Sequence, residues 1–418
     1  VTDGHLFAEG AVTNGAALVV AERPLDLDVP VLVVDDGVAA LAALARNVVA
    51  RVRARGRLRV VAVTGSNGKT TTKNLLARIL QDEGDTVAPR ASFNNEVGAP
   101  LTMLRVDDDT RFLVSEFGAS APGEIARLAG LVEPDLGVVL MVGMAHAGGF
   151  GGIEATFHAK SELVRALRPG GVAVLNADDP RVSAMAPIAE EIGASVRWFG
   201  RGERAEVRAV DVEVTATGTV AAIVVDGEAR TLRLRVLGEH HVMNALAALA
   251  AATSFGVDLD AAIARLEAVE LAERWRMQPL GGDRVRIIND AYNASPDSMA
   301  AALRTLAQIT ARDERMVAVL GAMSELGEYA GEEHDRVGLL AVRLGVQRIV
   351  VVGDDARRLF LSAVGEGSWD GEAVFFSTAD EAYDYLVTEL RDGDRVLVKS
   401  SNSAGLRHLG DRLGEAFS

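Results

Sequence analysis

The chain of 418 residues contains no cysteine. Disulfides, thiolate metal sites and a cysteine nucleophile are therefore excluded, and the composition fits a reducing, cytoplasmic compartment. Positive charge is in deficit: 43 Lys and Arg stand against 59 Asp and Glu, a formal balance of −16. A chain of that sign is not built as a whole to embrace nucleic acid or an anionic membrane. No run of about 18 apolar residues occurs, so no membrane-spanning helix is expected. No secretory leader is legible. The chain opens at Val1 in mid-pattern, and further residues are expected upstream. Internal repeats and low-complexity tracts are also missing. What is plentiful is apolar material, 49% of residues against 24% charged. That supports several cores, and the length suits about three domains.

Three α/β units are legible. Residues 1–57 read as a small piece with short strands at 17–21 and 31–34. A helix over 38–55 follows, and its basic last turn suits a helix C-terminus. Residues 58–272 read as a domain with a mostly parallel sheet. Apolar runs at 60–64, 112–116, 137–142, 172–176 and 196–199 alternate with helical segments. Short alternating runs at 207–214, 220–225 and 231–237 read as an antiparallel excursion, and helices over 242–268 close the unit. Residues 273–418 alternate in the same way, with runs at 285–288, 316–320, 348–352, 374–376 and 396–398. They read as a second parallel-sheet, Rossmann-like domain.

The strongest local signal is Thr64-Gly65-Ser66-Asn67-Gly68-Lys69-Thr70-Thr71, directly after a predicted strand and before a helix predicted over 72–80. A helix N-terminus offers unpaired N–H groups and the positive end of the helix dipole. Gly65 and Gly68 let the backbone approach phosphate oxygens, Lys69 can reach β- and γ-phosphates, and the Thr70 hydroxyl can bind Mg2+. The usual P-loop has a glycine five residues before its Gly-Lys pair. Here that place is Val63, so the loop is a shorter variant. The alternative is a plain strand–turn–helix corner; Gly-Lys-Thr in the context a phosphate loop requires argues against it.

Glu116 ends a predicted strand, on the side of an open α/β sheet where ligands bind. Mg2+ takes one or two carboxylates together with phosphates, so Glu116 is a candidate ligand; the alternative is a solvated loop acid. His146 lies in the glycine-rich loop Met144-Ala-His-Ala-Gly-Gly-Phe-Gly-Gly152. It reads either as a residue packed on a ligand or as an ordinary loop histidine. Ile153, Phe157, Lys160, Val164 and Leu167 fall on one helical stripe, which turns Lys160 towards the core. A bare buried ammonium is costly. The side chain can snorkel to solvent, be paired or neutral, or be carbamylated by CO2 into a carboxylate able to hold a second Mg2+. The pattern does not choose among these. His158 falls off the stripe and reads as non-catalytic. Asn176, Asp178 and Asp179 end another strand, Asn244 follows His240 and His241, and Lys399 ends the last strand. Arg276, Asp290 and Asn293 cluster about the first strand of the third unit, which suits a nucleotide contacted from a second domain.

Together these elements resemble the Mur ligase family. The resemblance rests on Gly65-Ser-Asn-Gly-Lys-Thr-Thr-Thr-Lys73, Phe93-Asn94-Asn95-Glu-Val-Gly-Ala-Pro100, Ala145-His146, His158-Ala-Lys-Ser-Glu162 and Asp290-Ala-Tyr-Asn-Ala-Ser-Pro-Asp-Ser298. The last discriminates best. Its Tyr-Asn-x-x-Pro-Asp-Ser core is similar to the branch that adds D-alanyl-D-alanine, whereas the branch adding diaminopimelate or lysine has a different, histidine-containing motif. The resemblance spans essentially the whole chain. It implies a UDP-sugar domain over 1–57, truncated at its start, a central P-loop ATPase domain over 58–272 and a C-terminal Rossmann-like domain over 273–418. The uridine-binding motifs are then expected upstream of Val1.

The resemblance also implies an activity and a site. The expected activity is ATP-dependent, ADP-forming ligation of D-alanyl-D-alanine to UDP-N-acetylmuramoyl-tripeptide through an acyl phosphate, a step of peptidoglycan synthesis, by a monomer acting on small molecules. Gly65, Ser66, Asn67, Gly68, Lys69, Thr70 and Thr71 would hold phosphates. Thr70 and Glu116 would hold one Mg2+, and His146 with a carbamylated Lys160 a second. Asn244, Arg276 and Asp290 would contact ATP, and Asn94, Asn95 and Asn293 would face substrate. Lys69, His146 and Lys160 are the implied catalytic residues, and the carbamate becomes the favoured state of Lys160. Two departures bear on the placement of the acceptor dipeptide: Ala322 stands where an Asp is usual, and Lys399-Ser-Ser-Asn402 replaces Lys-Gly-Ser-Arg. A sister ligase, another Mur enzyme or a folylpolyglutamate synthase, is the nearest alternative. A P-loop kinase or GTPase is disfavoured by the lack of an Asn-Lys-x-Asp run and by the surplus third domain. A catalytically dead binding protein is disfavoured by the presence of Lys69, Thr70, Glu116, His146 and Lys160.

Overall fold

Two short strands come first, β1 (Val19–Ala21) and β2 (Val31–Val33), paired in parallel. The computed structural model describes residues 3–89, 92–145, 151–269, 274–367 and 372–418. The helix Gly37–Arg53 follows. Asp36 starts it by accepting the Ala39 N–H, and Arg51 and Arg53 end it where a helix dipole favours cations. Its inward face, Ala45, Val49 and Val52, packs into the core beneath the next sheet.

That sheet has nine strands: β3 (Arg59–Thr64), β4 (Thr86–Val87), β5 (Phe112–Glu116), β6 (Leu136–Val139), β7 (Val172–Asn176), β8 (Ser195–Gly200), β9 (Val207–Thr215), β10 (Gly218–Val225) and β11 (Glu228–Leu234). Their order is β11-β10-β9-β8-β7-β6-β3-β5-β4. Strands from β4 across to β9 run parallel, and β9, β10 and β11 form the antiparallel excursion. The central strands are Val- and Leu-rich because helices cover both faces. One face carries the helices Lys69–Gln81 and Glu239–Ser254, the second nearly all alanine and leucine along its buried length. After β3 the chain moves to β4 and β5 on one side and returns to β6 on the other. A crevice opens at such a switch point, beyond the carboxyl end of β3.

The third sheet has six strands: β12 (Gln278–Gly281), β13 (Val285–Asn289), β14 (Arg315–Leu320), β15 (Arg348–Val352), β16 (Ala373–Phe376) and β17 (Asp394–Lys399), in the order β12-β13-β17-β14-β15-β16. All pair in parallel except β12. Apolar cores lie on both faces. The helix Pro296–Ile309 starts with proline at its first position and a Ser295–Ser298 capping box.

The α/β class with parallel sheets is as expected. Two strands escape the sequence patterns: β4 has only two residues, and β12 carries Pro279, which an edge strand tolerates. The run expected to extend to residue 142 leaves the sheet after Val139. Its last residues serve the neighbouring loops instead: Met141 O accepts the Ser66 N–H at 2.9 Å, and the Val142 N–H goes to Asp179 Oδ2 at 2.8 Å. Among the described residues, no helix is long and apolar enough to cross a membrane.

Candidate active site

The turn after β3 is held open by its neighbours. Gly68 has φ of 82°, in the left-handed region, and a Cβ there would run into the Asn244 side chain and Leu140. Glycine is thus required both by the backbone and by the approach of Asn244 from the Glu239–Ser254 helix. The Gly143 N–H bonds Ser66 Oγ at 2.8 Å, and Thr64 Oγ1 donates to Phe117 O at 2.8 Å. These ties aim the first N–H groups of the Lys69–Gln81 helix into the crevice. Lys69 Nζ folds back over the loop, donating to Gly65 O at 2.8 Å and Ser66 O at 3.4 Å. Burial pushes its pKa down, while the Glu116 charge pushes it back up.

Glu116 ends β5 and is 1% exposed. Its Oε1 accepts from Asn94 Nδ2 at 2.8 Å and Thr70 Oγ1 at 3.2 Å, whereas buried Oε2 has no hydrogen-bond partner among the described residues. A buried carboxylate oxygen without a donor is costly as it stands, and it marks a place for a cation. Among the described residues, no three His, Asp or Glu side chains gather into a metal cluster. An ion here would take Glu116 and Thr70 and draw its other ligands from phosphate and water, which is the habit of Mg2+.

The third unit supplies the opposite wall. Asp290, just beyond β13, accepts Lys399 Nζ at 2.6 Å and the Met277 N–H at 3.0 Å; Lys399 also donates to Asn293 O at 3.1 Å. This pins the Asp290–Ser298 segment, which crosses to the central unit. Tyr292 and Ser92 share a hydroxyl hydrogen bond of 2.9 Å, and Ser295 Oγ donates to Asn67 Oδ1 at 3.0 Å. Arg276 reaches Thr70 Oγ1 at 3.4 Å and stacks 4.2 Å from the centre of the Tyr292 ring. Lys399 is 2% and Asp290 15% exposed. Lys399→Met is therefore expected to destabilise the third unit by about 3 kcal/mol, because it strands the Asp290 charge. A urea midpoint equal to the parent's would show the pair to be dispensable.

Between the two walls lies a cleft of about 700 Å³. Family models of the Mur ligase middle domain and of the Mur ligase, glutamate ligase domain match residues 63–252 and 275–402. The UDP-N-acetylmuramoyl-tripeptide–D-alanyl-D-alanine ligase of Mycobacterium tuberculosis is 43% identical over 98% of this chain and 87% of its own length. The chain belongs to the Mur ligase family. Among solved structures, MurF from Acinetobacter baumannii superposes with a TM-score of 0.89 at 31% identity, covering 99% of this chain and 88% of that one. MurF from Thermotoga maritima, solved in complex with ADP, gives 0.86 at 27% identity, covering 99% and 92%.

In this Mur ligase the cleft gathers Ser66, Asn67, Gly68, Lys69, Thr70, Thr71, Asn94, Glu116, Asn244, Arg276, Asp290 and Asn293. Gly65 lies beneath it, against Leu140. Lys160 sits on the buried face of the helix Ile153–Arg165 and is 2% exposed, as the apolar stripe requires. Burial, reinforced by the nearby Lys69 charge, pushes its pKa down to about 7. It does not line the cleft. His146 lies outside the described residues. Asn95 is exposed, and its side-chain oxygen accepts the Val97 and Gly98 N–H groups at 3.3 and 2.8 Å, at the start of the helix Gly98–Met103. His158 is exposed.

Some cleft residues were not legible as such. Ser295 and Asp297 form part of the site wall, although only their membership of the Asp290–Ser298 motif signals it. The His240 and His241 rings stack 4.2 Å apart at the cleft. Burial pushes His240 down to about 4 and His241 well below its ordinary value, so both are neutral imidazoles at pH 7. The two loops that depart from the family pattern meet each other: the Ser401 N–H bonds Ala322 O at 2.9 Å, and Ser324 Oγ donates to Ser401 Oγ at 2.8 Å.

Proposed function

We infer that this Mur ligase joins D-alanyl-D-alanine to the tripeptide carboxylate of UDP-N-acetylmuramoyl-tripeptide, with conversion of ATP to ADP and phosphate, making the pentapeptide precursor of peptidoglycan. The observation that carries the reading is the docking of the Asp290–Ser298 segment onto the phosphate loop, in a chain 43% identical to an enzyme of that name. The cleft volume suits a nucleotide. The lack of cysteine accords with the cytoplasm, and the reading takes the enzyme as a monomer.

A carboxylate is a poor acyl donor. In the proposed reaction one of its oxygens attacks the γ-phosphorus of ATP, and the bond to ADP breaks. The acceptor amine then attacks the acyl carbon of the resulting acyl phosphate; the C–N bond forms and the C–O bond to phosphate breaks. Little covalent work falls to the protein, so positioning and charge neutralisation dominate. Lys69 exchanges the Gly65 and Ser66 carbonyls for phosphate oxygens, and the amides of Ser66 to Thr71 orient the same groups. Asn244, Arg276 and Asp290 hold the nucleotide from two units, and Asn94, Asn95 and Asn293 face the substrate. Thr70 and Glu116 would hold one Mg2+, and His146 with a carbamylated Lys160 a second; the ions supply positive charge where phosphoryl oxygens gather. Burial holds the pKa of Lys160 far below that of a free lysine, which favours the neutral amine that adds CO2.

Phosphate release, measured with each component omitted in turn, tests the assignment. Release that needs both UDP-N-acetylmuramoyl-tripeptide and D-alanyl-D-alanine supports it. Release with UDP-N-acetylmuramoyl-dipeptide and a diamino acid, or with a folate and glutamate, moves the enzyme to a sister activity. Glu116→Gln keeps an acceptor for Asn94 but loses the charge. It is expected to raise the Mg2+ concentration for half-maximal turnover by about 10-fold or more, the order of one lost ion–ligand contact. An unchanged Mg2+ dependence would remove Glu116 from the metal site.

A further inference from the structure

The backbone on either side of Arg276 is strained. Trp275 has φ of 63° and Met277 φ of 49°, in the left-handed region that bulky residues avoid. Glu133 and Asp226 share that conformation in ordinary places, at a helix end and in the tight turn between β10 and β11. Trp275 and Met277 instead bracket a side chain aimed at the phosphate loop, since Arg276 reaches Thr70 Oγ1 at 3.4 Å and lies 4.2 Å from the centre of the Tyr292 ring. Rotation of either neighbour to negative φ would swing the Arg276 side chain away from that place. Backbone of this kind persists only where its surroundings over-determine it.

Here two sets of contacts do so. The first holds the main chain: the Trp275 N–H bonds Gln278 Oε1 at 2.9 Å, Trp275 O accepts the Tyr292 N–H at 3.1 Å, and the Met277 N–H goes to Asp290 Oδ1 at 3.0 Å. The second locks the indole from the helix Leu406–Ala416. The Trp275 Nε1–H points between the two carboxylate oxygens of Asp411, 3.0 Å from each. Arg407 and His408 share a helix face with Asp411 and approach the same indole, at 5.3 and 6.1 Å from its centre. Asp411 is fixed in turn by Asn289 Nδ2 at 3.1 Å, at the end of β13, and by Arg274 Nη2 at 3.0 Å. Asp411 does not line the nucleotide cleft.

We propose that Asp411 is a positioning residue for nucleotide binding: by locking the Trp275 indole it keeps the strained backbone in place and so aims Arg276 at the phosphate loop. The assignment rests on the reading that Arg276 contacts ATP. A carboxylate receiving an indole N–H makes a charge-assisted hydrogen bond, strong enough to offset local backbone strain. Without it, Trp275 relaxes towards negative φ, and Arg276 is aimed correctly in only a fraction of molecules. Apparent nucleotide affinity falls by that fraction.

The test titrates the whole protein with a non-hydrolysable ATP analogue and Mg2+. Trp275→Phe keeps an aromatic ring against Arg274 and Arg407 and leaves Asp411 its bonds to Asn289 and Arg274, so it is expected to fold. It loses only the indole N–H and should weaken affinity about 10-fold, the order of one charge-assisted hydrogen bond. Asp411→Ala should do the same, and Asp411→Asn, which keeps an acceptor oxygen, should lose less. Arg276→Ala alone should weaken affinity at least as much as Trp275→Phe. In the Arg276→Ala background Trp275→Phe should then have no further effect, because the side chain it would aim is gone. A purely structural tryptophan would cost the same factor in both backgrounds, and that result would overturn the positioning role, as would unchanged affinity in Trp275→Phe and Asp411→Ala. Parent-like affinity in Arg276→Ala would overturn the nucleotide contact of Arg276 and the positioning role with it.

Discussion

Lys69→Ala is expected to lower kcat/KM for ATP by about 10²- to 10³-fold, the scale of one preorganised donor lost from a developing charge. The fold should survive. Lys69 is a cation that burial disfavours, and its hydrogen bonds go to loop carbonyls rather than to a buried acid. The loop keeps its other ties, Ser66 to Gly143 and Thr64 to Phe117. Phosphate release and urea unfolding, measured on the same preparation, separate the two effects. A near-normal rate would end the phosphate role of Lys69; a large fall in the unfolding midpoint would show that the lysine is structural.

Removing Lys160 should be as damaging to turnover and should also change how stability depends on pH. Lys160→Ala is expected to lose activity about 10²- to 10³-fold, because a carbamate ligand would vanish from a site that works by charge neutralisation. Short carboxylic acids, which mimic the carbamate, should restore part of it. Intact mass should show the added CO2 in the parent and not in the variant. Failure of rescue together with an unmodified parent would sink the carbamate. The stability effect follows from linkage. In the folded chain Lys160 titrates near 7, and in the unfolded chain near its ordinary 10.5. Between those values the unfolded chain binds more protons, so stability rises with pH across the window and is lost as pH falls through it. In CO2-free buffer Lys160→Met should therefore gain stability relative to the parent as pH falls from 10.5 to 7. Parallel stability profiles for the two proteins would contradict the buried, neutral lysine.

What the sequence shows well is local. The phosphate loop reads cleanly because strand, turn, glycine and lysine are consecutive. Lys160 reads as buried because helical periodicity alone turns it inward, and the valine-rich strands announce a sheet covered on both sides. What escapes depends on chain segments far apart. Asn67 meets Ser295, and Tyr292 meets Ser92, only because two sheets are set against each other. No window of residues contains that fact. Strand β12 hides behind Pro279, since propensity opposes it and edge pairing overrides propensity. The local role of Asn95 is equally invisible in the motif: its side chain caps the adjacent backbone.

The bond between Asn67 and Ser295 has a thermodynamic corollary. Asn67 belongs to the loop that would grip phosphate, and Ser295 belongs to the other half of the molecule. If nucleotide favours the assembled state, the assembled state favours nucleotide by the same factor, since coupling between two equilibria is reciprocal. If apposition of the halves is only partly populated without nucleotide, weakening the bridge reduces apparent affinity by the fraction of competent molecules lost, although no atom touching ATP has changed. The phosphate loop would then report on the far domain, and the far domain on the phosphate loop, through this pair of polar side chains and the Arg276–Thr70 contact beside it.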